Sequence, residues 1–203
     1  MLYARLQTVG GMPAPAGAVR RLVEIVAGHP GFAGLCLMEA VEETAAGALL
    51  TLWRTAEDAR LAVDRTEAAR GGPRPVTLHS DRIYEVESAE EGPDAELPPG
   101  AAVLLFFDGP HDDAWLESAR FAQRERIGPA LRTVSGLVRG ISLYDPEERS
   151  SAVVSLGTSL EALARAEKAV NSTELLPGED PALLTGPDRA VVHRVSAYLG
   201  APV

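Results

Sequence analysis

Two short stretches decide the fold: LTLWRTAEDA at residues 50–59 and VSLGTSLEAL at residues 154–163. Each begins with apolar residues suited to a buried strand, and a Thr or Ser then stands where a helix N-cap is expected. Aligning the two stretches places Thr55 on Ser159. The same strand-to-helix junction therefore occurs twice, which predicts an internal duplication.

The residues around the first stretch predict the element order β-α-β-β-α-β. Apolar residues recur at helical spacing at Val19, Leu22, Val23 and Val26, which is the pattern of an amphipathic helix. The predicted elements are strands at Leu2–Val9, Phe32–Ala40, Ala48–Arg54 and Val76–Val86, with helices over Pro15–Gly28 and after Thr55.

The residues around the second stretch predict the same order. Strands are expected at Ala101–Asp108, Val138–Tyr144, Ser151–Leu156 and Ala190–Tyr198, with helices starting at Asp112 or Asp113 and after Ser159. Because proline lacks an amide proton and clashes with the preceding turn, Gly128-Pro129 is expected to bend or break the first of these helices.

A composition change separates the two copies. Residues 89–100, AEEGPDAELPPG, are acidic and rich in Pro and Gly, which is typical of a linker. We therefore expect a first unit at residues 1–88 and a second at residues 101–203.

The expected class is α+β, with each copy a ferredoxin-like unit. Such a unit has an antiparallel sheet with helices on one face only. In residues 101–108 both alternating sets are apolar, with Val103 and Leu105 on one side and Leu104 and Phe106 on the other. A strand that is apolar on both faces needs cover on both. We therefore expect the two sheets to pack face to face within one chain.

Net charge and cysteine content argue against some classes of binding partner and indicate a cellular compartment. The chain has 29 acidic and 19 basic residues and a net charge of −10, which argues against binding to nucleic acid or an anionic membrane. The single cysteine, Cys36, lies in an apolar run and fits a reducing compartment. The N-terminus lacks the pattern of a signal peptide, and no apolar run is long enough to span a bilayer. A cytoplasmic location is expected.

Four segments resemble the antibiotic biosynthesis monooxygenase domain of the dimeric α+β barrel superfamily. They are HPGFAG at residues 29–34, LTLWRTAEDA at residues 50–59, IGPAL at residues 127–131 and SGL at residues 135–137. The resemblance covers nearly the whole chain as two tandem copies, and it implies an intrachain dimeric α+β barrel.

Similar proteins include cofactor-independent monooxygenases of polycyclic aromatic polyketides, with a pocket between sheet and helices. Such a site needs a donor for an oxyanion, a proton acceptor and a dry aromatic wall. The resemblance implies catalytic candidates Trp53, His79 and Tyr84, and ligand-binding candidates Tyr3, Arg5, Trp53 and Arg54. It also implies an oxidoreductase that uses no cofactor.

Each candidate also has a structural interpretation. Trp53 is equally suited to packing, Arg54 to solvent, and His79 to the surface of a closing strand. Tyr3 and Arg5 share one face of the first strand with Gln7. If that face is directed toward the helices, these residues line a pocket; otherwise they fill the interface between the sheets.

Similar proteins also include haem-degrading enzymes, with an Asn in the first strand and a His after the second helix. Here the first strand has no Asn and residues 59–75 contain no His. The four histidines, His29, His79, His111 and His193, lack the short spacing of a metal motif, so no metal site is expected.

The second copy has Gly157 and Thr158 where the first has Trp53 and Arg54. The glycine either leaves space for a ligand or marks a half that serves only as cover, so we favour a site in the first copy. The leading hypothesis is a small-molecule-binding protein, as an oxygenase of aromatic or polyketide-type substrates. The alternative is a non-catalytic protein that binds a hydrophobic ligand or serves in assembly. We expect a monomer, with further homodimerisation left open.

Overall fold

A computed structural model describes residues 1–11, 16–42, 46–70 and 77–200 of the chain. Of residues 16, 18 and 67–70 it describes the backbone only. Pro15 and Val76, the predicted first residues of a helix and a strand, lie outside the described residues.

The elements follow the predicted order in both halves. The strands are β1 (Tyr3–Gly10), β2 (Phe32–Ala40), β3 (Ala46–Trp53), β4 (Thr77–Glu91), β5 (Ala101–Phe107), β6 (Leu137–Asp145), β7 (Ser150–Gly157) and β8 (Arg189–Leu199). The helices are α1 (Ala16–Ala27), α2 (Ala56–Arg70), α3 (Asp113–Ala122), α4 (Gly128–Leu131) and α5 (Leu160–Asn171). β4 continues through the first three residues of the expected linker.

The chain is an α+β protein. The described pairings are antiparallel. The ferredoxin-like character of each copy, the face-to-face sheets and the duplication stay predictions.

By internal packing the chain divides into two compact units. The first comprises Met1–Val86 with Val192–Val203, and the second comprises Glu87–Val191. In the first unit the strand order is β4-β1-β3-β2-β8. In the second it includes β5-β7-β6.

The core of the first unit lies between its sheet and its helices. Trp53, Leu35 and Leu37 of the sheet are buried with Ala59 and Ala62 of α2. The predicted apolar stripe of α1 packs on the same cluster through Val19, Leu22, Val23 and Val26. The periodicity argument for this helix is confirmed.

Three helices, α2, α3 and α5, begin at side-chain caps that the sequence predicted. The hydroxyl of Thr55 accepts a hydrogen bond from the amide of Asp58 at 3.0 Å, and it donates to that residue's carboxylate at 2.7 Å. Ser159 accepts from the amide of Ala162 at 3.3 Å. Asp112, rather than Asp113, is the cap of α3, and it accepts from the amide of Trp115 at 2.8 Å.

The helix of the second unit is not broken before Pro129. α3 runs into a π-helical turn, Gln123–Ile127, which leads directly into α4. The amide of Gly128 bonds to the carbonyl of Gln123, five residues earlier. This wider turn leads into α4 with Pro129 in its first turn, where the absence of an amide proton costs little. Of the bend or break that the sequence left open at Gly128-Pro129, the break is not observed.

Candidate functional site

The first strand turns one face of its side chains toward α2. The Nη1 atom of Arg5 donates hydrogen bonds to the carbonyl oxygens of Ala59, at 2.6 Å, and Arg60, at 3.1 Å. Both carbonyls belong to α2. Because side chains alternate along a strand, Tyr3 and Gln7 share this face. Of the two placements left open by the sequence, the helix-facing one is observed.

Arg5, Gln7 and Asp81 form a polar network on this face. The Nε and Nη2 atoms of Arg5 donate to different carboxylate oxygens of Asp81, each at 2.6 Å. The amide nitrogen of Gln7 donates to Oδ2 of Asp81 at 2.8 Å. The side chains of Arg5 and Asp81 are only 13% and 20% exposed. The network is thus a largely buried one whose members satisfy one another.

Trp53 lies in the core beside this network. Its side chain is 1% exposed, and its indole meets Phe32 edge to face with ring centroids 5.8 Å apart. The indole Nε1 donates to the hydroxyl of Thr51 at 2.8 Å. Both the ring and the polar atom of Trp53 are therefore engaged by the protein itself.

Tyr3 and Glu85 are directly opposite each other on β1 and β4. The register in this part of the sheet is unbroken, so Glu85 shares the helix-facing side with Asp81. Both side chains are half-buried. Within the part of the chain that the structure describes, neither the Tyr3 hydroxyl nor the Glu85 carboxylate has a hydrogen bond or ion pair.

The structure does not bring Trp53, Tyr84 and His79 together on one face. Tyr84 alternates with Ile83 and Glu85 along β4, so it points to the opposite side of the sheet, where it is buried. His79 is exposed and lies at a β-bulge, between the residues that pair with Thr8 and Val9. A Cβ atom on Gly10 would lie 2.7 Å from its Nε2, so the ring covers that glycine.

The side chain of Arg54 is exposed, whereas its main-chain amide joins two strands. Its amide donates to the carbonyl of Gly31 at 2.8 Å, which ties the start of β2 to the end of β3. Gly31 has a φ of +74°, and a Cβ atom there would lie 2.2 Å from Oδ2 of Asp58. Thr158 and Gly136 repeat the junction in the second unit, with the same 2.8 Å bond and a φ of +89°.

The second unit has no matching polar network on β5. Its register pairs Ala101 with Gly157 as Tyr3 pairs with Trp53. By the same alternation, Val103 takes the place of Arg5, and Leu105 takes the place of Gln7. The polar face thus belongs to the first unit.

Leu163 occupies the space beside Gly157. A Cβ atom on this glycine would lie 3.0 Å from Cγ and 3.1 Å from Cδ2 of Leu163. At the same place in the first unit, Trp53 and Ala59 belong to one buried apolar cluster. The first unit thus has a large strand residue beside a small helix residue, and the second has a small strand residue beside a large helix residue. Of the two interpretations of Gly157, the filled space supports structural cover.

Two further titratable groups have shifted pKa values. Burial raises the pKa of the Cys36 thiol to about 12, so it is not a thiolate nucleophile at neutral pH. Burial, and secondly the Arg65 guanidinium, lower the pKa of His29. The hydroxyl of Thr66 donates to the carbonyl of Ala62 at 2.6 Å, so it accepts from Nε2 of His29 at 3.1 Å. The neutral imidazole therefore carries its proton on Nε2.

The described residues hold neither a cluster of metal ligands nor a membrane-spanning helix. They contain no group of three or more His, Cys, Asp or Glu side chains arranged to hold a metal ion. They also contain no helix that is long and apolar enough to cross a bilayer.

Solved structures with this fold carry several different names. A "Putative monooxygenase" from Fusobacterium nucleatum is 8% identical and superposes with a TM-score of 0.70, over 99% of this chain and 96% of that one. An anthrone oxidase-like protein is 16% identical, with a TM-score of 0.54 over 99% and 97% of the two chains. A chlorite dismutase variant from Candidatus Nitrospira defluvii is 14% identical, with a TM-score of 0.62 over 97% and 92%.

At these identities the likeness establishes the fold alone. The three proteins share an architecture but have different names, so the architecture does not fix the chemistry. No family model matches the sequence. No curated protein matches it either.

Asp81 and Glu85 lie on the same face as Arg5 and Tyr3 but were not among the candidates predicted from the sequence. The sequence does place Asp81, Ile83 and Glu85 at every second position of a predicted strand, and therefore on one face of it. What the sequence lacked was the register that sets Asp81 beside Gln7 and Glu85 beside Tyr3.

Proposed function

We propose that the protein is a cofactor-independent oxygenase of an enolisable aromatic or polyketide-type substrate. The supporting observation is the polar face of Arg5, Gln7 and Asp81 beside buried Trp53, on the helix-facing side of the first unit. The second unit has Val103 at the place of Arg5. The fold likeness to an anthrone oxidase-like protein and to a monooxygenase-named protein supports the reaction class.

The reaction needs few protein groups. A base removes a proton from an activated C–H bond, and donors stabilise the enolate that forms. The enolate then reduces O₂. With anthrone, the CH₂ group becomes a carbonyl, one O₂ is consumed and one water is released. Carboxylates, hydroxyls and a guanidinium lie on this face, next to a buried apolar cluster.

The test uses the purified, chelator-treated protein with anthrone and with a naphthol. An oxygen electrode and the quinone absorbance follow the reaction. We expect O₂ uptake above the buffer rate and one O₂ consumed for each quinone formed. Heat-denatured protein provides the control for uncatalysed autoxidation. Uptake no faster than in that control, with every substrate of this class, would rule out the oxygenase proposal.

A second candidate is a non-catalytic protein that binds a hydrophobic ligand. It is favoured by the burial of Trp53 and by the way in which Arg5 and Asp81 satisfy each other. Equilibrium dialysis with anthrone under nitrogen separates the two functions. Binding without O₂ uptake in air supports this candidate, and binding with uptake supports the oxygenase.

We also propose that the two halves arose by duplication and act within a single chain, in the cytoplasm. The matching element order and the repeated Gly31 and Gly136 junctions support the duplication. Sedimentation equilibrium is expected to give the mass of one chain, 21.4 kDa. An obligate dimer whose halves exchange between chains would overturn the proposal.

A further inference from the structure

The polar groups of the helix-facing side in the first unit fall into two sets. In the first set, the guanidinium of Arg5 is bonded to Asp81 and to two carbonyls of α2. The amide nitrogen of Gln7 is bonded to Asp81, and the indole nitrogen of Trp53 is bonded to Thr51. A ligand that used any of these groups would first have to break a protein hydrogen bond, which costs free energy.

The second set consists of Tyr3 and Glu85. Within the described ranges, the hydroxyl of Tyr3 and the carboxylate of Glu85 have no protein partner. Residues directly opposite on antiparallel strands have Cβ atoms about 4.5–5.5 Å apart. One donor and one acceptor, both half-buried, are thus close together and free to meet a ligand.

The aromatic surface that this pair offers a ligand is the half-buried ring of Tyr3 itself, with buried Trp53 behind it. Tyr3 also pairs with Trp53 across β3, and Trp53 packs against Phe32. The next row of the sheet holds Arg5, whose charge is already neutralised by Asp81, so the hydroxyl of Tyr3 is the donor that is available to an anion. A planar substrate that becomes an enolate is the kind of ligand that this row of side chains would recognise.

We infer that Glu85 is the proton acceptor and Tyr3 the enolate-stabilising donor of the reaction; this inference rests on the proposed function. The carboxylate of Glu85 takes the proton of the substrate C–H bond and becomes a carboxylic acid. The electron pair of that bond forms the enolate, whose oxygen accepts a hydrogen bond from the hydroxyl of Tyr3. O₂ then oxidises the enolate, as in the reaction above. Proton abstraction needs no oxygen, which makes it separable from oxidation.

The test follows exchange of the CH₂ protons of anthrone in D₂O under nitrogen, by NMR. Wild-type protein is expected to accelerate the exchange above the buffer rate. Glu85→Gln, which keeps the side-chain shape, should lower the protein-dependent rate by about 10²- to 10⁴-fold. Tyr3→Phe should lower it by about 100-fold. Both should bind anthrone within a few-fold of wild type in equilibrium dialysis.

The matched control is Glu24→Gln, the same substitution at an exposed glutamate of α1. With this variant the anthrone protons should exchange at the wild-type rate. Circular dichroism checks that each variant is folded. If wild type consumes O₂ and Glu85→Gln exchanges and oxidises as fast, the inference is wrong and the oxygenase proposal stands. If wild type neither exchanges protons nor consumes O₂, both fail.

Discussion

Arg5 and Asp81 form a two-point ion pair, with both N–O distances at 2.6 Å, across the helix-facing side of β1 and β4. The fork of the guanidinium matches the two carboxylate oxygens, and its third nitrogen holds two carbonyls of α2. One arginine therefore fixes both the pairing of two strands and the position of a helix over them.

Replacing Asp81 with Asn should lower the free energy of unfolding by about 2 kcal/mol, because charged hydrogen bonds to a mostly buried arginine are lost. Urea denaturation with an unchanged m-value measures the effect. Asp64→Asn, at an exposed position of α2, is the control and should change stability by less than about 0.5 kcal/mol. Equal stability of the two variants would contradict the role given to the ion pair.

Periodicity and caps made most of the elements predictable. The spacing of Val19, Leu22, Val23 and Val26 identified α1, and Thr55 and Ser159 marked the helix starts. Proline rules alone left a bend or a break open at Gly128-Pro129, and the structure has a π-helical turn there that leads on into α4. Local patterns carry no information on such an adjustment, which depends on the surrounding packing.

The site was less predictable, because it depends on strand register. Tyr3 and Arg5 were identified from the first strand alone. Asp81 and Glu85 were not, since their partners are more than seventy residues away in the chain. The glycine at position 157 was ambiguous for a similar reason: only the fold places Leu163 against it.

Gly157→Ala should destabilise the protein by about 1 kcal/mol, because the added methyl lies 3.0 Å from Cγ of Leu163. In a Leu163→Ala background the same change should cost nothing, so the double variant should lose about 1 kcal/mol less stability than the sum of the two single variants. Gly140→Ala is the matched control on a neighbouring strand, since a Cβ atom there meets nothing within 4 Å. Additive effects of the two changes would refute the compensated packing.

Glu179→Gln should cost about 3 kcal/mol, because it breaks a buried ion pair. The Nε atom of Arg126 lies 2.9 Å from both oxygens of Glu179, and the two side chains are 9% and 0% exposed. Glu125→Gln, in an exposed pair with Arg124, should cost less than about 1 kcal/mol. Thermal and urea unfolding compare the two variants. A loss no larger for Glu179→Gln than for Glu125→Gln would count against a stabilising role of the Arg126–Glu179 ion pair.

Stability should fall with acid in part through His29. Its pKa in the folded protein is below the ordinary value of 6.5, with burial as the larger cause and Arg65 as the second. The unfolded chain therefore binds a proton more readily as the pH falls through 6.5, and the folded state loses stability until its own lower pKa is reached. Urea unfolding at pH 8 and pH 5.5 should show a smaller loss in His29→Gln than in wild type. An equal or larger loss in the variant would contradict this assignment.

The most direct measurement is the stoichiometry of O₂ uptake by chelator-treated protein with anthrone, followed with quinone formation in the same cuvette. The account predicts uptake well above that of heat-denatured protein, with one O₂ for each quinone. If the protein binds anthrone under nitrogen but its O₂ uptake equals that of the denatured control, the oxygenase proposal is contradicted. The result would then support a non-catalytic protein that binds a hydrophobic ligand.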